Sequence, residues 1–277
     1  MADRRHMLIA VFRDTENFWA EDPLLAEAIR QSVRSTTFYD ERDYPPLPEP
    51  HTEAAHVVLS GKTSFQAARD RYFASGGEHI AVLNFASAVN PGGGVRGGAS
   101  AQEESLCRCS TLFPTLAQPA MMEKYYDVNR RKDDPLHSDA CIWSPGIVIC
   151  KDDFTFDRLP PEERAVVDVI TCAAPDLRWG FGDENDRTLS TMQQYEIHLK
   201  RARHILHLAA SRSTDALILG AFGCGAFMNE PKAVAAAYRN ARAEYIRYFK
   251  YVEFAVYCRS DDKRNYAAFQ KAIGRQG

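Results

Sequence analysis

The sequence predicts an α/β protein: three α/β/α layers around a mixed, largely parallel central sheet, with a helical N-terminal extension. Three observations carry this prediction. Five apolar runs are continuous rather than alternating: "HIAVLNFAS" (79–87), "GIVICK" (146–151), "VVDVITCAAP" (166–175), "ALILGAFGCG" (216–225) and "YVEFAVYC" (251–258). Strands of that kind are covered on both faces. Helical stretches separate them, the pattern of strands joined by crossovers. Glycine-rich segments follow two of the runs, where open α/β sheets bind ligands, beyond the carboxyl ends of strands.

The elements follow in order. Residues 16–33 read as a helix opening after Thr15, a capping residue type. Residues 38–57 are polar and proline-rich and read as an extended arm or loop. Residues 1–60 therefore form an N-terminal extension packed on a core of residues 61–277. Residues 62–75 read as a helix stopped by Gly76 and Gly77. Further helices are expected over roughly 101–116, 190–213 and 231–248. The second of these sets Met192, Tyr195, Leu199, Ile205 and Leu208 at near-helical spacing.

Composition narrows the function classes. The 277 residues are 45% apolar and 26% charged, which suits a globular protein. A net charge of −3 and a pI near 6.3 argue against a general nucleic-acid binder. The seven cysteines are odd in number and several lie inside apolar runs. That reads as reduced, buried thiols in a cytoplasmic protein. Cys107 and Cys109 lack a second pair at zinc spacing, so no metal site is expected. No apolar run is long enough to span a membrane, and no signal peptide is expected.

Two constellations carry chemistry. In "NPGGGVRGGASAQEESLCR" (90–108), Gly92, Gly93 and Gly94 allow positive φ and close ligand approach. Their amides can form an anion-binding nest. Alone, the triplet reads equally as a surface turn. After seven intervening residues come Gln102, Glu103 and Glu104. Adjacent glutamates on a helix point about 100° apart, so both line a site only at a loop-to-helix transition. The alternative is a solvated helix start favoured by the helix dipole. The second constellation is "LGAFGCGAFMNEP" (219–231). A strand runs into Gly223, Cys224 and Gly225, then Ala226, Phe227 and Asn229, before Glu230-Pro231 opens a helix. A glycine loop feeding a helix N-terminus suits a phosphate. Phe227 can stack on a sugar or base, or plug the core. Two such loops on one sheet suggest a ligand with two adjacent phosphates.

The GGG-x7-QEE spacing together with the GCGAF loop resembles the signature of poly(ADP-ribose) glycohydrolases, in particular their short bacterial-type branch, whose catalytic domain is a macrodomain. "YYDVNRRKDDPLHSDACIWSP" (125–145), "VDVITCAAPDLR" (167–178), "DALILGAFGCGAFMNEPKAVAAAYR" (215–239) and "VEFAVYC" (252–258) are similar to that branch in the same order. The likeness therefore spans nearly the whole chain, and residues 61–277 would be a macrodomain-like catalytic domain.

The resemblance implies roles. Glu104 would be the catalytic acid and Glu103 its companion on ribose hydroxyls, with Gln102 supporting their geometry. Gly92, Gly93 and Gly94 would lie against the diphosphate and distal ribose, which Asn90 and Ser87 would hydrogen-bond. Gly223, Cys224, Gly225 and Ala226 would form the second diphosphate loop, and Phe227 would orient the scissile ribose. Met228 stands where a small residue is expected, and Arg96 adds charge to the first loop. The implied substrate is poly(ADP-ribose), cut at its ribose–ribose bond from chain ends to release ADP-ribose. No cofactor or metal is implied, no membrane or sequence-specific nucleic acid partner, and the chain would act as a monomer.

Cleavage at an anomeric carbon passes through an oxocarbenium-like state, needing an acid and then a base. A glutamate starts near a pKa of about 4.3, so an acid at neutral pH needs burial or a like-charged neighbour. Three rival readings stay open. A macrodomain that only binds ADP-ribose would keep the loops but not need Gln102, Glu103 and Glu104. A hydrolase removing single ADP-ribose units, or a nucleotide-sugar phosphatase, would use the same loops. The eight histidines are scattered and read as packing or surface residues. Arg130 and Arg131 read as a solvated turn, with a polymer contact as the alternative.

Overall fold

The computed structural model describes residues 2–178, 189–258 and 262–274. Its centre is a seven-stranded sheet in the order β1-β4-β5-β3-β6-β7-β2. The strands are β1 (Thr37–Tyr39), β2 (His56–Ser60), β3 (Ile80–Ala86), β4 (Cys141–Ile149), β5 (Ala165–Ala173), β6 (Ala216–Leu219) and β7 (Tyr251–Ala255). From β5 through β2 every pairing is parallel, while β1 and β4 add two antiparallel pairings at one edge. The sheet is thus mixed and largely parallel, as expected.

Alternation along β3 explains the layers. Ile80 and Val82 join the core on one face, and Ala81 and Leu83 the core on the other. The first face is covered by α1 (Ala2–Glu21), α2 (Pro23–Ser35), α3 (Ser64–Ser75), α4 (Gln102–Cys109) and α5 (Leu112–Leu116). Short turns α6 (Pro119–Met121) and α7 (Asp127–Lys132) flank a π-helical stretch at Met122–Tyr126. The second face carries α8 (Thr191–Ser211), α9 (Pro231–Tyr245) and α10 (Arg264–Ile273).

The N-terminal segment differs most from the sequence expectation. Thr15 does not open a helix. It lies inside α1, fully buried, and donates to the Arg108 carbonyl at 2.6 Å. The break falls at Asp22, whose carboxylate caps the Leu24 amide at 2.9 Å, with Pro23 at the first helical position. The expected arm over 38–57 begins and ends in strands. β1 and β2 supply both edges of the sheet, and Phe12, Trp19 and Leu25 join its core.

Elsewhere the local signals act as expected. Thr63 caps α3 through Gln66 N at 3.1 Å, and Gly76 ends it with φ +66°. Ser190 and Gln193 form a reciprocal cap that opens α8. β3 and β6 pair in parallel, so the loops after them emerge side by side. No described helix is long and apolar enough to cross a membrane. All seven cysteines are free, and no group of three or more metal-ligating side chains gathers among the described residues.

Candidate active site

The loops after β3 and β6 border one cleft of about 1190 Å³. Ser87, Asn90, Gly93, Gly94, Gln102, Glu103, Glu104, Gly223, Gly225, Ala226 and Phe227 all line it. Gly92 and Cys224 do not. Gly92 sits beneath the cleft wall, where an added Cβ would lie 2.7 Å from the Phe113 ring. The Cys224 thiol turns to the Phe222 carbonyl.

Helix α4 begins at Gln102, so the two glutamates fall in its first turn, at the loop-to-helix transition that lets both face one site. Gln102 clamps the end of β3. Its amide oxygen accepts from Phe85 N at 2.8 Å, and its nitrogen donates to the Leu83 carbonyl at 2.8 Å and to Ser64 at 3.0 Å. Glu103 is 2% exposed. It accepts from Ser87 N at 2.7 Å and from Asn84 Nδ2 at 3.3 Å. Its carboxyl is pushed up to about 8, mainly by burial and further by the neighbouring Glu104 charge, against the Ser87 hydrogen bond.

Glu104 is held differently. Its Oε1 accepts from Gly94 N at 2.9 Å. Its Oε2 is buried and has no partner among the described residues. One oxygen is fixed, and the other is left for chemistry. Gly93, at φ +57°, makes this possible: a Cβ there would overlap Glu104 Oε1 and stand 3.1 Å from Glu103 Oε2. Both carboxylates therefore converge over one bare Cα. Two carboxylates this close resist carrying two charges, so the pair keeps a proton into the neutral range.

The first loop is not a vacant nest. Gly93 N donates to the Asn90 carbonyl and Gly94 N to Glu104, so these glycines offer close approach rather than free amides. The open donors lie on the second loop. The N–H groups of Gly223, Gly225, Ala226 and Phe227 have no protein partner among the described residues. They precede α9, whose N-terminus adds positive potential.

Other residues complete the frame, and the sequence reading passed most of them over. Asn229 is 2% exposed. Its Nδ2 donates to the carbonyls of Pro175 (2.8 Å), Gly223 (3.0 Å) and Phe227 (3.3 Å), stapling the second loop to the end of β5. Since Nδ2 donates, Oδ1 accepts from His198 Nε2, at 2.8 Å. Burial, the largest cause, pushes His198 down to about 4, so the ring stays neutral, with its one proton on Nε2 for this bond. His137 lines the cleft with its ring 6.4 Å from Phe227. Buried Arg201 holds that segment through the Leu136 carbonyl at 3.0 Å and Asp139 at 2.7 Å. The Arg178 guanidinium lies 5.1 Å from the Phe227 ring centre. Arg96 turns away from the cleft, pairing with Glu16 at 2.8 Å and stacking on Phe113. Met228 is an exposed residue at φ +59°, which explains why a small residue is expected there.

A family model described as "Microbial-type PARG, catalytic domain" matches residues 17–152. The fold is similar to a poly(ADP-ribose) glycohydrolase from Thermomonospora curvata, with TM-score 0.84 and 30% identity over 97% of this chain and 100% of that one. The chain belongs to the microbial-type poly(ADP-ribose) glycohydrolase family. The Thermomonospora curvata enzyme bound to the inhibitor ADP-HPD matches with TM-score 0.81 and 31% identity, over 96% and 99% of the two chains. A family member from Deinococcus radiodurans, in complex with ADP-ribose, matches with TM-score 0.77 and 31% identity over 89% and 96%. No curated protein sequence matches significantly. The family match ends before the second loop, so it is the whole-chain similarity that includes both loops.

Proposed function

We propose that this enzyme, a glycoside hydrolase of the poly(ADP-ribose) glycohydrolase family, cuts the ribose–ribose bond at chain ends and releases ADP-ribose. The observation that carries the mechanism is the pairing of a fixed Glu104 Oε1 with a buried, unpartnered Oε2 on the cleft. The crystallised relatives bound to ADP-ribose and ADP-HPD support the ligand class. The diphosphate would meet the open amides of Gly223, Gly225, Ala226 and Phe227, while Gly93 and Gly94 let it approach closely. Asn90 and Ser87 would hold the distal ribose, and Phe227 its scissile neighbour.

Cleavage follows from the carboxylate pair. Glu103 orients ribose hydroxyls from its place against Ser87 and Asn84, and the pair brings its one proton to the reaction near neutral pH. Proton delivery runs through Glu104, the member with an unpartnered oxygen. As the bond to the anomeric carbon breaks, the leaving 2′ oxygen takes that proton and positive charge spreads over the ribose ring. Glu104, now a carboxylate, stabilises that charge and then takes a proton from the attacking water. Residues 1–60 would serve as an extension that braces the site: Arg5 Nε donates to the Gly97 carbonyl at 2.8 Å.

Product analysis tests the reading. Poly(ADP-ribose) should yield free ADP-ribose from the first turnovers, without intermediate oligomers. Oligomers would make the enzyme an internal cutter, and release from a mono-ADP-ribosylated protein alone would make it a single-unit hydrolase.

A further inference from the structure

Arg108 is a buried cation that no described carboxylate hydrogen-bonds, although the Glu104 charge lies near enough to act on it. It is 2% exposed, yet it lines the cleft. Among the described residues no carboxylate pairs with it. Its Nη1 donates to the Ala99 carbonyl at 2.6 Å, and its Nε is buried with no partner. The Nε–Nη2 edge is the fork by which arginine grips a carboxylate or phosphate, and no described residue occupies it. Burying a guanidinium is costly unless a counter-charge meets it, and burial is the main cause pulling its pKa down.

Its position is informative. Arg108 follows Glu104 by four residues on α4, so the two share a helix face with Cβ atoms about 5–6 Å apart. Ala99, which holds the guanidinium, packs against Gly94, which holds the Glu104 carboxylate. Arg4 of α1 borders the same part of the cleft, and its charge opposes that of Arg108. Two like charges side by side against a cleft fit an anion that spans both.

We infer that Arg108 and Arg4 form a cationic subsite for the diphosphate of the penultimate ADP-ribose unit, the one that carries the leaving 2′ oxygen. This rests on the glycohydrolase reading above. The terminal unit places its diphosphate on the open amides after β6. The penultimate unit, which departs with the shortened polymer, begins at the oxygen that Glu104 protonates, one ribose before its own diphosphate. Arg108 is one helical turn from the acid on α4 and lines the same cleft, so its open fork would take that second diphosphate.

The test compares two substrates that share the bond but not the leaving group: poly(ADP-ribose) and an aryl glycoside of ADP-ribose. The readout is the ratio of their kcat/KM values. Arg108→Gln and, separately, Arg4→Ala should lower that ratio about tenfold or more, the scale of losing a charge-assisted pair. Raising salt should also lower the wild-type ratio more than that of either variant. A general disturbance of the fold would depress both substrates together and leave the ratio unchanged. An unchanged ratio in both variants overturns the subsite. Should Arg108→Gln not fold, surface-placed Arg4→Ala gives the same decision. Failure of the wild type on both substrates would instead overturn the glycohydrolase reading.

Discussion

Gly93→Ala adds one methyl group at the point where the two carboxylates converge. At φ +57° an alanine is strained by about 1–2 kcal/mol. Its Cβ would overlap Glu104 Oε1 and crowd Glu103 Oε2 at 3.1 Å. Glu104 must swing aside and give up its bond from Gly94 N, a charge-assisted interaction of about 1.5–3 kcal/mol. Water in the cleft recovers part of that loss, so the net destabilisation is about 2–4 kcal/mol. At about 2 °C per kcal/mol for a chain of this size, Tm should fall by roughly 4–8 °C. The effect on turnover is larger, because about 1 Å of misplacement at a reacting group costs on the order of 100-fold. The assay is kcat for ADP-ribose release beside a thermal melt. Gly225→Ala is the control, since no atom lies within 4 Å of its added Cβ; its Tm should stay within about 2 °C of wild type. Near-normal kcat and Tm in Gly93→Ala would refute the claim that a bare Cα fixes the acid.

Three further outcomes are expected. Glu103 has a folded-state pKa raised to about 8, so the folded protein holds a proton that the unfolded chain releases near its ordinary range. Stability from this group is fully present at low pH and is lost as pH rises toward 8, at up to about 1.4 kcal/mol per pH unit. Glu103→Gln should flatten that slope in denaturant titrations between pH 5 and pH 8, and parallel profiles for the two proteins would contradict it. Asn229→Asp keeps the shape but turns an acceptor toward the Pro175, Gly223 and Phe227 carbonyls. It should cost about 3 kcal/mol and weaken ADP-ribose binding, read by melting and calorimetry. Met228→Gly relieves a positive φ on an exposed side chain and should stabilise by about 0.5–1 kcal/mol; a lower Tm would show that the Met228 side chain contributes packing instead.

Sequence patterning located the interior of the sheet because its strands are buried on both faces. β3 and β6 read as continuous apolar runs, and the glycines after them mark where the chain must turn. The edges were illegible for the opposite reason. β1 and β2 are 3 and 5 residues long and partly exposed, so their composition resembles a loop. The helix expected over 16–33 ran through Pro23, whereas Asp22 and Pro23 separate two helices and the first begins at Ala2. At the site, the glutamates and glycines stood out by spacing. Asn229 was named with the second loop, but its role as a staple was not legible, and Asn84 did not stand out, since their importance lies in which carbonyls and carboxylates they reach. Asn84 left one trace, a lone amide inside an apolar strand opposite Thr171. Arg108 left none. A basic residue in the last turn of a helix reads as an ordinary dipole partner, and only its burial marks it out.

The central claim is that Glu104 moves the proton. It is tested most directly by ADP-ribose release from purified poly(ADP-ribose), comparing wild type with Glu104→Gln while following ADP-ribose binding to both. Glutamine keeps the size and can still accept from Gly94 N, but it cannot give up a proton as an acid does. The account predicts release by the wild type, a loss of about 1000-fold or more in the variant, and ADP-ribose affinity within a few-fold in both. Release by Glu104→Gln at a rate near wild type would contradict it and move the acid to another group in the cleft.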